Sequence, residues 1–306
     1  MEMLWEAHDP LGAFEERFGF KDEESAGRWV AATLDEHWGV RISSCDRIVL
    51  SDHNALAWVG TPSGRLLAKW SVVPWLFSRL AEMARLTSWL DSRGLPVSAP
   101  VPAVDGRLQV EVDGASMFVQ REIEGDLLDT DDPRQVRAAG AVLARLQDAL
   151  AVYPDAGGVA APSEPLTPLP ARITGWLDAT AAHLPATAPG TMRRLLADVP
   201  SDGLPTQLGH HDFRSANVLC AETEVAAVID FEEARFDHRV VELARSAVML
   251  GTRFHDWGPV PARVHAEFLA GYQSVRGLDP VEAGWWDALL HWQTLATFGI
   301  ELSERA

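Results

Sequence analysis

The stretch GHHDFRSANVL, residues 209–219, places two histidines, an aspartate, an arginine and an asparagine within eight positions, directly before an apolar run. Three readings compete: a metal site, the catalytic loop of a phosphoryl-transfer enzyme, and an ordinary polar turn. Taken alone, Asp212 and Asn217 read best as caps of a turn or of the next element. Their company changes the balance. His210, Asp212 and Asn217 form the pattern H-x-D-x-x-x-x-N, and thirteen residues after Asn217, at the end of the apolar run VAAVI, stands Asp230. Phosphoryl transfer from a metal-bound nucleotide requires such a set. One carboxylate orients or deprotonates the accepting hydroxyl, while an amide oxygen and a second carboxylate hold Mg²⁺ against the phosphates.

The metal-site reading fares worse. His210 and His211 would need a third convergent ligand, and the chain contains neither H-E-x-x-H nor C-x-x-C. Its two cysteines, Cys45 and Cys220, are too few for a disulfide framework, which points to a reducing compartment. The net charge of −18, from 44 acidic and 26 basic residues, opposes sequence-independent binding to nucleic acid or anionic membranes. No basic-then-apolar leader opens the sequence, and no stretch approaches the roughly 20 apolar residues that span a bilayer. A cytoplasmic protein is expected, with neither nucleic acid nor membrane as partner; the sequence carries no signal of oligomeric state.

At 306 residues the chain is long enough for two modest domains or one large one. Apolar residues at helical spacing predict a helix over 23–38. Strand-like runs follow at VRIS, DRIVLSD, ALAWVG and RLLAKWSVV, the last two joined by the hairpin signal TPSG. LFSRLAEMARLTSWLDSRG, residues 76–94, predicts a helix stopped by Gly94. Strand character returns at VSAPVPA (97–103), RLQVEV and SMFVQREI, with DGA as the turn between the last two. From about residue 126 the period changes from two to 3.6. DDPRQVRAAGAVLARLQDAL predicts an aspartate-capped helix, PDAGGVAAPSEPLTPLP a linker, and residues 170–184 and 190–198 further helices. After the strand pair NVLC and VAAVIDF, the remainder reads mostly helical. The reading is therefore an α+β chain of two lobes, a β-rich lobe over 1–121 opened by a helix and an α-helical catalytic and acceptor-binding lobe over 122–306, with a nucleotide cleft between them.

Lys69, in RLLAKW, lies on a predicted strand, and Glu82 is the acidic residue of the helix that follows. A lone strand lysine is usually a solvated edge residue. Together, Lys69, Glu82, His210-x-Asp212-x-x-x-x-Asn217 and Asp230-Phe231 resemble the protein-kinase-like superfamily. The closer resemblance is to its aminoglycoside phosphotransferase and choline or homoserine kinase-like branch, with H-G-D-x-x-x-x-N followed by I-D-F or I-D-W. The resemblance implies the two-lobe kinase-like fold, with one key helix in a small antiparallel sheet lobe. It implies that Asp212 is the catalytic aspartate, that Asn217 and Asp230 are Mg²⁺ ligands, and that Lys69 contacts nucleotide phosphates with Glu82 as its partner. His210 would support the loop, and Arg214 would offset charge on the transferred group. The purine of ATP or GTP would meet backbone groups near Glu122 and Ile123. Departures from the family pattern are His211 where glycine is usual, Gln147 where histidine is common, and Glu242 in place of an aspartate. The turn LSDHNALAW has no glycine, so Ser51, His53 and Asn54 would cover the nucleotide instead. That turn, and the absence of a glycine after Asp230-Phe231 and of A-P-E, disfavour a protein kinase.

Most of the 12 tryptophans fall at apolar helix positions and read as core. GTRFHDWGPVP, residues 251–261, is different: Arg253, His255, Asp256 and Trp257 share a loop that reads either as a structural turn or, as the resemblance implies, as part of the acceptor side. Glu232, Glu233 and Asp237, just after a metal ligand, would suit an aminoglycoside or another amine-bearing alcohol. The expected activity is phosphoryl transfer from ATP or GTP to a small-molecule hydroxyl. The rival is a nucleotide-binding module of the same fold with little catalysis, suggested by His211 and the glycine-free turn.

Overall fold

The computed structural model describes residues 2–4, 9–159, 166–200 and 203–300. Contacts divide the chain into two units, Met1–Glu124 and Gly125–Ala306, a few residues beyond the boundary expected at 121.

In the first unit, β1 (Glu2–Met3) and helix α1 (Pro10–Phe18) precede α2 (Glu23–Trp38), which has the predicted bounds. Their limits are set chemically: Asp22 and Ser25 form a reciprocal capping box at the start of α2, and Gly39 ends it with a left-handed φ of 64°. The sheet comprises β2 (Ser44–Leu50), β3 (Asn54–Thr61), β4 (Gly64–Ser71), β5 (Val110–Val112) and β6 (Ala115–Arg121) in the order β1-β2-β3-β4-β6-β5, with α3 (Pro74–Ser92) inserted after β4. All neighbours are antiparallel except β1 and β2. The hairpins form where the turn residues demand them: Thr61 pairs with Gly64, and Asp113 and Gly114 both take positive φ between β5 and β6.

Alternation along β3 sends Ala55, Ala57 and Val59 inward, where they meet Val30, Leu34 and Trp38 of α2. Helix α1, absent from the sequence reading, adds Phe14 and Phe18, and the Phe18 ring packs edge-on to Trp70 at 6.3 Å. The strand expected over 97–103 does not form. Prolines at 96, 100 and 102 lack the N–H a ladder needs, and the stretch keeps isolated bridge positions at Val97 and at Pro100, the latter to Gln120, beside Val101, which donates to Val119 O. VRIS likewise forms no strand, and β2 begins just after it at Ser44.

The second unit contains β7 (Asp126–Leu127), α4 (Pro133–Leu150), the short α5 (Ala156–Val159), α6 (Leu169–Thr180), α7 (Ala188–Asp198), β8 (Thr206–Gly209), β9 (Val218–Ala221), β10 (Glu224–Val228), β11 (Arg235–His238), α8 (Arg239–Met249), α9 (Ala262–Val275) and α10 (Pro280–Phe298). Part of the expected linker, 160–165, lies outside the described residues. Helices α4 and α9 pack at backbone distance because both carry glycine at the crossing: a Cβ on Gly140 would lie 2.0 Å from Phe268 O, and one on Gly271 2.0 Å from Arg137 O. Strands β10, β9 and β7 form one antiparallel sheet, and β11 and β8 form another. The second pair was not expected from the sequence, yet it flanks the 210–217 loop. Among the described residues, no helix is long and apolar enough to cross a membrane.

Candidate active site

Strand β8 delivers the chain into the loop and β9 receives it, through a 3-10 turn over Ser215–Asn217. His210 is fully buried, with its ring 4.5 Å from that of Phe231. Its Nδ1 accepts from the Asp212 backbone N–H at 3.1 Å, and its Nε2 lies 3.0 Å from Ile229 O. These contacts define the neutral ring protonated at Nε2. Both nitrogens are thus committed to shaping the loop, and neither is left for a metal.

Asp212 has a side chain 16% exposed, and its carboxylate accepts from Arg214 Nε at 3.0 and 3.1 Å and from Asn217 Nδ2 at 2.6 Å. Asn217 Nδ2 also reaches Asp212 O, while the Asn217 carbonyl accepts from Ile229 N at 2.9 Å. Loop and strand end are therefore laced together immediately before Asp230, which is exposed and holds a left-handed φ of 65°. Arg214 is nearly buried, and its guanidinium carbon lies 5.8 Å above the Trp257 ring. Trp257 thereby joins the Asp212 neighbourhood from a distant part of the sequence.

The floor of the loop is a buried carboxylate. Glu242 Oε1 accepts from the backbone N–H groups of His210 and His211 at 2.5 and 2.9 Å, and its Oε2 accepts from Gln147 at 2.7 Å. Gln147 in turn accepts from the Tyr272 hydroxyl at 2.6 Å. Burial pushes the Glu242 carboxyl up, and the donated hydrogen bonds offset part of that push. Two departures from the family pattern, Gln147 and Glu242, are thus one contact. Gly209 is required here by space, since a Cβ would lie 2.5 Å from Glu242 Oε2.

His211 adopts φ of 63° and is 2% exposed, and its Nδ1 is buried with no partner among the described residues. Burial holds its pKa well below the ordinary imidazole value, and the neighbouring charges of Arg235, Arg245 and Arg172 act in the same direction. Arg245 escaped the sequence reading: its Nε donates to His211 O at 3.1 Å. The available signal was its place three residues after Glu242, on the same helix face.

The acceptor-side candidates separate. Asp237 is buried and bound by Arg172 Nη1 at 3.0 Å to each oxygen, and Glu233 lies 3.6 Å from Arg235. Arg253 donates to Leu128 O at 3.1 Å and to Ser215 Oγ at 3.4 Å, pinning its loop to the 3-10 turn. His255 is exposed and Trp257 is 49% exposed.

Within the first unit, Lys69 Nζ lies 5.9 Å above the ring of Phe118, its cross-strand neighbour. The Glu82 carboxylate is bound by Arg85 of its own helix. Ser51 and Asn54 close a tight turn in which Ser51 N donates to Asn54 O at 2.8 Å and Asn54 N donates to Ser51 Oγ at 3.2 Å. The Glu122 backbone N–H donates to Arg65 O at 3.1 Å, and its carboxylate binds the Arg65 side chain. Ile123 follows with backbone groups that make no hydrogen bond among the described residues.

Residues 50–283 match the model of the phosphotransferase enzyme family, APH. Macrolide 2'-phosphotransferase MphH from Brachybacterium faecium is 18% identical, covering 89% of this chain and 93% of its own, with a TM-score of 0.58. A microcompartment-associated aminopropanol kinase is 19% identical over 87% of this chain and 86% of its own, with a TM-score of 0.61. The amicoumacin kinase hAmiN, solved with AMP-PNP, Ca²⁺ and Ami, is 12% identical over 89% and 84%, with a TM-score of 0.65. At these identities the likeness speaks for the fold. No curated protein matches the sequence.

Proposed function

Because the chain belongs to the phosphotransferase enzyme family, we propose that it moves the γ-phosphoryl group of ATP or GTP to a hydroxyl of a small molecule. The observation that carries this reading is the Asp212 carboxylate, fixed by Arg214 and Asn217 on a loop that is hydrogen-bonded to the backbone just before Asp230. The acceptor oxygen attacks the γ-phosphorus as the bond to the β-phosphate oxygen breaks. Asp212 orients that hydroxyl and takes its proton, and the nucleoside diphosphate leaves. Arg214 serves as a positioning residue for Asp212, because its Nε is already given to that carboxylate.

The donor set fits a hard divalent cation such as Mg²⁺. Asn217 Nδ2 is spent on Asp212, which leaves its Oδ1, and Asp230 presents an exposed carboxylate. A cation bound there would neutralise phosphate charge. Lys69 is assigned to the nucleotide phosphates, and the unpaired backbone groups of Ile123, beside Glu122, are assigned to the purine. Glu82, whose carboxylate also binds Arg85, is assigned as the partner of Lys69. Ser51 and Asn54 would shape the nucleotide-covering turn, since their backbone N–H groups close the turn itself. An amine-bearing acceptor rests on the overall charge, because Asp237 and Glu233 are already paired with arginines.

The test is acceptor-dependent nucleotide consumption across hydroxyl compounds in wild type and Asp212→Asn. Loss of roughly 10²–10⁴ in kcat with nucleotide affinity kept within a few-fold is expected. Retained phosphotransfer in the variant would sink the mechanism. Nucleotide binding without acceptor-dependent turnover in the wild type would favour the binding-module reading.

A further inference from the structure

Around Asp212, three arginines already have carboxylate partners and a fourth does not. Arg214 is taken by Asp212, Arg235 by Glu233 and Arg172 by Asp237. Arg245 is half-buried and donates its Nε only to a neutral carbonyl, that of His211; its terminal nitrogens make no hydrogen bond or ion pair among the described residues. Its charged surroundings are Arg235 and Arg214 on one side of the balance and Asp212 and Glu233 on the other. Arg235 is brought there by strand pairing, standing directly across from Gly209 at the mouth of the loop. A guanidinium with unused donors in a partly dry setting recognises planar or tetrahedral oxyanions strongly. The neighbouring His211 ring adds no charge of its own there, because burial keeps it neutral.

We propose that the acceptor carries an oxyanion as well as its hydroxyl, bound by Arg245 with Arg235 on the second unit's own surface beside His211–Asp212. This rests on the phosphotransferase reading and narrows it: the hydroxyl belongs to an acid, of the hydroxy-carboxylate or sugar-phosphate kind, instead of a polyamine. The exposed Trp257, stacked on Arg214, supplies an apolar wall for the acceptor's carbon frame.

The test pairs each anion with its neutral twin: glycerate and glycerol 3-phosphate against glycerol, and gluconate and glucose 6-phosphate against glucose, all at fixed ionic strength. Thermal shift without nucleotide is read first. Stabilisation by at least one anion and not by its twin, lost in Arg245→Gln and Arg235→Gln but kept in Arg145→Gln, is expected. Arg145 is an exposed cation on α4, so this control removes the same charge elsewhere. Arg245→Lys should restore part of the preference. Whether carboxylate or phosphate stabilises more identifies the oxyanion. Equal shifts from anions and twins, no shift from any anion, or an anion effect that survives both Gln variants would overturn the inference. Turnover then separates the two claims. Where phosphate transfer occurs, Arg245→Gln should raise the acceptor KM at least tenfold with the nucleotide KM within twofold; a rise confined to the nucleotide KM overturns the inference and leaves the kinase reading standing. Anion binding without Asp212-dependent transfer to any hydroxyl overturns the kinase reading instead.

Discussion

His211 is the residue at which local geometry and side-chain identity disagree. Its φ of 63° lies in the left-handed region, which costs an L-residue with a Cβ about 1 kcal/mol or more and costs glycine almost nothing. The imidazole also brings a buried, unpartnered Nδ1. Replacing His211 by glycine changes strain and packing together, so the informative comparison is between two truncations. His211→Gly should be more stable than His211→Ala by about 1 kcal/mol, since both lose the ring and only alanine keeps the strained Cβ. Urea denaturation of the two variants measures this directly. Equal stabilities, or the reverse order, would mean that the backbone relaxes out of the left-handed region once the ring is gone.

Among elements, the contact between α4 and α9 governs how Gln147 reaches Glu242, because Gln147 belongs to α4 and is also held by Tyr272 of α9. An interior helix glycine ordinarily gains up to about 1 kcal/mol on replacement by alanine. Gly140→Ala should do the opposite and lose at least about 2 kcal/mol, because its Cβ would meet the Phe268 carbonyl at 2.0 Å, where backbone and not a flexible side chain must move. A lower denaturation midpoint checks it; a neutral or stabilised variant would deny the close crossing. The periodicity of α4 was legible in the sequence, whereas the meaning of its glycine was not, since only the partner helix shows why a side chain is excluded. The same division holds elsewhere. Helix α2 and the β3–β4 hairpin carry their caps, period and turn residues in one continuous stretch. Strands β8 and β11 span four residues each and declare themselves only through each other. In the site, Asp212, Asn217 and Asp230 stood out as a spaced set. Arg245 did not, because an arginine on a helix is ordinary until its carbonyl partner is known.

Across the whole molecule, acidity acts through two opposed terms. The net charge of −18 weakens as the pH falls toward the isoelectric point near 4.9, which relieves self-repulsion and favours the folded chain. Buried histidines pull the other way. His265, 6% exposed, is pushed down by burial from 6.5 to about 4, and burial likewise depresses His211. For a depressed group the unfolded chain takes up its proton first as the pH drops below 6.5, while the folded chain holds out. The contribution to stability is therefore whole above 6.5 and is lost progressively down to the folded value, near 4 for His265. Glu242, pushed up by burial, has the opposite sign: protonation on acidification relieves its cost. The terms separate by a double difference. Between pH 7 and pH 5 the wild type should lose about 2 kcal/mol more than His265→Leu, which retains the charge balance at neutral pH and cannot titrate. Urea denaturation of both proteins at the two pH values gives the number, and an identical loss in both would show that the acid sensitivity arises from groups other than His265.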